Sequence, residues 1–209
     1  MWTISIIVLF IVGLNFIKDY KSTENKYFFW ISMFFFLFII ARILRLIVRF
    51  YIGEPPPGEP LTGTAFILES IYTIISFIGL SQVYYALEST IIKKTHYAFT
   101  ILVWVTCAIS IIDFITRSLL YITIPFFIAT VLGLPLIFLG LAINSSGSVR
   151  KNALLVAFGV VLFVLSIAMD IPDGRVIFGT LPDLILATVP PGLAIISCVI
   201  LRRGFQTKM

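Results

Sequence analysis

Residues 27–52 read YFFWISMFFFLFIIARILRLIVRFYI, a run in which only Ser32 and three arginines interrupt the apolar side chains. A helix needs about 20 such residues to cross a hydrocarbon core of about 30 Å, so this run spans a membrane. Its charges, Arg42, Arg45 and Arg49, are three and four residues apart and share one narrow face of that helix. A charge in hydrocarbon is costly and normally faces protein or water, so the stripe needs partners from other segments.

Six further runs of the same kind occupy residues 2–17, 64–87, 97–116, 119–143, 152–171 and 180–201. With 60% hydrophobic and 12% charged residues among 209, the chain has too little polar surface to cover a soluble globule. Transmembrane strands would show segments of about ten residues with alternating polarity. These runs are long and continuously apolar, which predicts an all-α integral membrane protein, a single seven-helix bundle over residues 1–209.

The connecting segments orient it. Lys18, Lys21, Lys26, Lys93, Lys94, Arg150, Lys151, Arg202, Arg203 and Lys208 fall on one side, against Arg117 and Arg175 on the other. The positive-inside rule then predicts an N-terminus outside, a cytoplasmic C-terminus and a multi-pass protein of the plasma membrane. The first run lacks the basic n-region of a secretory signal and has its lysines after the apolar stretch, so it reads as a retained helix. The net charge of +5 reflects this topology and attraction to anionic membrane lipids. The basic loops are too short for a nucleic-acid surface, so no nucleic-acid partner is expected.

Depth then places the charges. At about 1.5 Å per residue, Arg42 lies roughly two thirds of the way across the second helix and Arg49 near its outer end. The third helix returns inward and brings Glu69 to the level of Arg45, as its counter-ion. Tyr72, Thr73 and Ser76 continue the Glu69 face at helical spacing. Asp113, Asp170 and Asp183 stand at the outer ends of the fourth, sixth and seventh helices. Together these residues are expected to line an outward vestibule whose surplus guanidinium donors receive a small anionic ligand, a carboxylate, phosphate or sulfate. The alternative is a set of packing pairs, with Arg45 and Arg49 snorkelling and the aspartates at watery helix ends. Pro125 and Pro135 in the fifth helix and Pro190 and Pro191 in the seventh remove backbone hydrogen bonds and are candidate hinges. The connector Gly53 to Gly63, GEPPPGEPLTG, is expected to be stiff and extended, a spacer or an outer lid.

Catalytic chemistry finds little to build on. The single histidine, His96, follows Lys93 and Lys94 at the cytoplasmic interface, and there is no HExxH or G-x-S-x-G arrangement. Cys107 and Cys198 read as buried free thiols. Aspartates near the surface do not make an intramembrane aspartyl pair, and Asp173-Gly174-Arg175 reads as a turn. The last helix has no lysine for a retinal Schiff base. The arginine run is too short for a voltage sensor. A non-enzyme without metal or cofactor is expected.

The seven-helix, N-out plan, the Arg150-Lys151-Asn152 stretch leading into the sixth helix, Asp170 and the closing Leu201-Arg202-Arg203-Gly204-Phe205 resemble the membrane sensor module of some archaeal and bacterial sensory kinases. The resemblance covers the whole chain and implies a prokaryotic receptor active in signal transduction. In that family an output domain follows the last helix, whereas this sequence ends at Met209. Output through a cytoplasmic or membrane protein partner is therefore expected. The competing expectations are a small transporter of an anionic solute, although the prolines have no counterparts in the first three helices, and a non-catalytic subunit of a larger membrane complex.

Overall fold

The computed structural model describes residues 1–53, 63–116, 119–170 and 183–205, and of these not the side chains of residues 120, 183, 184 and 186. Seven helices among the described residues are long and apolar enough to cross a membrane, and no strand occurs among them. They are α1 (Trp2–Thr23), α2 (Lys26–Ile47), α3 (Gly63–Thr90), α4 (Ala98–Thr116), α5 (Leu120–Ile143), α6 (Gly147–Ala168) and α7 (Asp183–Phe205). A π-helical segment, Val48–Ile52, extends α2, and a 3₁₀ turn, Lys93–Thr95, precedes α4.

The helices differ from the sequence expectation at their basic ends. Lys18 and Lys21 stand on the last turns of α1, not in a loop, and α1 stops only where Glu24 takes a φ of 55°. α6 begins at Gly147 instead of residue 152 and so carries Arg150 and Lys151, while Arg202 and Arg203 occupy the last turn of α7. Hydropathy alone cuts a span at its first charge. Lysine and arginine are good helix formers whose long stems let the charge reach water, so the helix continues past the apolar run. Asn25 starts α2 by accepting the Tyr27 N–H on its side-chain oxygen at 3.0 Å. The triple-proline stretch beyond Gly53, Arg117, the Asp173-Gly174-Arg175 stretch expected to turn, and Lys208 lie outside the described residues.

The distribution of polarity is that of a membrane protein. Exposed side chains include Ile4, Ile7, Ile11 and Leu14 on α1 and Ile101, Trp104, Ile112 and Ile115 on α4, whereas Ser5, Ser32, Arg42, Arg45, Glu69, Thr106 and Thr130 are buried. Water would drive those isoleucines inward. Hydrocarbon leaves them outside and pushes the polar groups toward one another.

The chain divides into two compact units, Gly13–Thr130 and Met1–Val12 with Val131–Met209. In the first, successive helices run antiparallel. Phe16 stacks on Phe28 and Phe35 (6.2 and 5.7 Å between centroids), and a Cβ on Gly79 would touch Phe34 at 3.4 Å. A chain of rings joins Tyr20, Phe29, Trp30, Tyr85 and Tyr97 at centroid distances of 5.3–5.6 Å. Tyr20, Phe29, Trp30 and Tyr97 lie within four residues of Lys21, Lys26, Lys93 or Lys94 in the sequence, a pairing of amphipathic aromatics with cations that is common at membrane–water boundaries.

In the second unit α6 packs antiparallel on α7. A Cβ on Gly204 would lie 2.6 Å from Val156 Cγ2 and 3.1 Å from the Val156 backbone nitrogen, and one on Gly159 would lie 2.9 Å from Leu201. Only glycine allows helices so close. Ser197 donates to the Gly159 carbonyl at 2.8 Å, and Ser166 and Ser5 donate to the carbonyls of Pro190 and Pro191 at 2.7 and 3.0 Å. Both prolines lie inside α7, where each ring removes a backbone donor. The two serine bonds hold this weakened turn from α6 and α1.

Candidate functional site

The core-facing stripe of α2 runs through Ile31, Phe35, Phe38, Arg42 and Arg45, all buried. The spacing of three and four that buries the aromatic residues therefore carries the two arginines inward at the next positions. Arg42 is 0% exposed and Arg45 1%. Arg42 Cζ lies 6.0 Å from the Phe38 ring centroid, at the outer limit of a cation–π contact. Arg49 follows on the π-helical segment and is half-buried, with Cζ 5.6 Å from the Phe50 ring. There the Gly53 N–H reaches the Val48 carbonyl at 3.0 Å, a five-residue step that widens the helix.

Arg45 Nη1 donates to Glu69 Oε1 of α3, the pairing expected from depth. Both groups are buried, and at low local dielectric such a charge-assisted bond is strong. Below Glu69 on α3, Tyr72 and Thr73 are buried and Ser76 is half-buried. The Ser76 hydroxyl donates to the Tyr72 carbonyl at 2.8 Å, bonded to its own helix.

Two of the three aspartates are buried, not surface acids. Asp113 is buried near the end of α4, where Oδ1 accepts the Leu119 N–H at 2.9 Å and ties α4 to the start of α5. Asp170, in the turn after α6, is also buried and belongs to the other unit. Asp183 is the first residue of α7, and its side chain lies outside the described residues. Of the four prolines, Pro125 is exposed, Pro135, Pro190 and Pro191 are buried, and α5 and α7 continue helically through them.

Sequence reasoning passed over Glu88, one residue beyond the expected end of the third span. It is 2% exposed. Its carboxylate accepts the N–H groups of Phe99 and Thr100 at 3.0 Å each and the hydroxyls of Thr95 and Thr100 at 2.8 and 2.6 Å. An acid from α3 thus caps the N-terminus of α4, where negative charge is favoured. The available signal was an acid at the very end of an apolar run, on the side where most of the cations collect. Also missed was a bonded cluster in which the Thr106 and Thr130 hydroxyls lie 2.7 Å apart and Tyr84 donates to the Thr130 carbonyl at 2.5 Å.

α3 therefore carries a bonded carboxylate near each end, Glu69 toward α2 and Glu88 toward α4. Their 19-residue separation is roughly 28 Å at 1.5 Å per residue. Among the described residues, no cluster of histidine, cysteine, aspartate or glutamate is disposed to hold a metal ion. No family model matches the sequence, and no match is found among curated proteins or solved structures.

Proposed function

We propose that the chain is a seven-helix receptor of the plasma membrane, N-terminus outside, whose α2 arginine face recognises a small anionic ligand. The observation that carries this reading is the burial of Arg42 and Arg45 on an apolar helix that passes directly into a π-helical turn bearing Arg49. Intramembrane charges are expensive and mark functional sites by default, and π turns are frequent there.

In this reading the half-buried Arg49 meets the anion first, and the ligand then competes with Glu69 for the planar donors of Arg45. Release of Glu69 shifts the equilibrium of α3 against α2. Because Glu88 of the same helix caps α4, that shift reaches the basic turn at Lys93–Thr95. The prolines of α5 and α7 remain candidate hinges. Kinship with the sensor modules of prokaryotic sensory kinases, with output through a partner protein, belongs to the same proposal.

The test is thermal stabilisation of the purified protein by a panel of small carboxylates, phosphates and sulfates. A ligand of the wild type should lose its effect in Arg42→Ala and weaken by about 1 kcal/mol, roughly fivefold in Kd, in the more accessible Arg49→Ala. Equal stabilisation of wild type and Arg42→Ala by every ligand that binds would sink the arginine site. Accumulation of a labelled anion in proteoliposomes would replace the receptor by a transporter.

A further inference from the structure

We propose that the first turns of α6 form a binding site for an anionic phospholipid, with the headgroup phosphate on Arg150 and Lys151 and an acyl chain along Leu154 and Phe158. A groove of about 460 Å³ runs there, lined by Gly147, Arg150, Lys151, Leu154, Leu155 and Phe158. The steps of three and four residues place these side chains along one strip of a single helix. Arg150 and Lys151 are exposed, Leu154 is 43% and Phe158 56% exposed, and Val161 and Leu165 continue the open apolar strip. At Gly147 an added Cβ would meet nothing within 4 Å, so the upper end of the groove is open.

The order of chemistry along the strip selects the occupant. Two cations occupy the first turns of a helix long and apolar enough to cross a membrane, where the headgroups of a spanned bilayer would lie, and apolar side chains follow along the strip. A soluble phosphate would use only the upper part. A phospholipid uses both, and its negative headgroup matches the cations while the choline of a zwitterionic lipid does not. No acidic residue stands in the first turn of α6 to compete for them. This site is distinct from the arginine face of α2 and does not rest on it.

Native mass spectrometry of the full chain, purified in an uncharged detergent and stripped of lipid, decides the matter with two probes, phosphatidylglycerol and phosphatidylcholine of identical acyl chains. The wild type should retain phosphatidylglycerol roughly thirtyfold more tightly, as expected from about 1 kcal/mol for each of the two basic residues at a membrane surface. Arg150→Gln with Lys151→Gln should bring that ratio to within about twofold. Lys93→Gln with Lys94→Gln, which changes the same charge elsewhere, should leave it intact. Phe158→Ser should weaken both lipids by a similar factor. Equal retention of the two lipids by the wild type overturns the proposal. So does an equal loss in the Lys93 and Lys94 variant, which would assign the preference to general surface charge, and so does displacement of phosphatidylglycerol by millimolar inorganic phosphate.

Discussion

The two units share side-chain packing and neutral bonds but differ in their most distinctive ties between helices. Gly13–Thr130 uses charge: Arg45 binds Glu69 between α2 and α3, and Glu88 caps α4 from α3. The unit of Met1–Val12 and Val131–Met209 uses proximity: Gly159 and Gly204 bring α6 and α7 nearly backbone to backbone, and neutral serines bond to carbonyls. Both answer one difficulty, that apolar side chains gain nothing from leaving lipid for protein, so association must come from packing and polar bonds. Charge gives strong, directional bonds that can be exchanged. Close packing gives many weak contacts that cannot. The anion response proposed above would draw on the first.

The largest effect should come from Glu69→Leu, which leaves the buried Arg45 guanidinium without the carboxylate it binds. Breaking a buried ion pair on one side typically costs about 3–5 kcal/mol. Replacing both partners, as in Arg45→Met with Glu69→Leu, should recover most of that loss, because a matched apolar pair needs no desolvation. Chemical denaturation in mixed micelles measures both. A double variant no more stable than Glu69→Leu would mean that the pair is not the unit of stability and would weaken the contrast between the two units.

Next in size is Gly204→Ala. Its methyl would meet Val156 Cγ2 at 2.6 Å and backbone atoms of Val156 and Asn152 at 3.1 and 3.2 Å. A side-chain methyl can turn aside but a helix backbone cannot, so α6 and α7 must separate, at about 2–3 kcal/mol. Gly140→Ala is the control. Nothing lies within 4 Å of its Cβ position, and alanine there should be neutral or gain up to about 1 kcal/mol from helix propensity. Thermal unfolding of the pair separates close packing from glycine's intrinsic cost.

Much of this was legible in the sequence because hydrocarbon imposes a simple rule. Seven apolar runs become seven helices, and the steps between Arg42, Arg45 and Glu69 translate directly into depth on two antiparallel rods. What stayed hidden depends on which faces meet. Gly204 and Gly159 look alike as letters, as do Gly192 and Gly140, yet the first two sit in tight contact and the last two face open space. Glu88 was hidden because a cap supplied by another helix has no spacing signature: its partners lie 7 to 12 residues downstream across a turn. Asp113 looked like a surface acid because hydropathy sees it at the end of a run, while its bond to the Leu119 N–H turns it inward.

The smallest expected effect lies with the serines. Ser197 is fully buried on α7 and donates to the Gly159 carbonyl at 2.8 Å. Gly159 has no Cβ to shield that carbonyl, so the hydroxyl reaches an oxygen already engaged in its own helix and adds a second, weaker bond to it. Ser197→Ala removes the bond without leaving an unsatisfied acceptor, and interhelical bonds of this kind average about 0.6 kcal/mol in membranes. A loss of that size, measured by the same denaturation series, places the serine bonds well below the glycine contact they accompany. A loss approaching that of Gly204→Ala would instead make hydrogen bonding the chief tie between α6 and α7. The distinction between a charged unit and a close-packed one would then become a distinction between ionic and neutral hydrogen bonds.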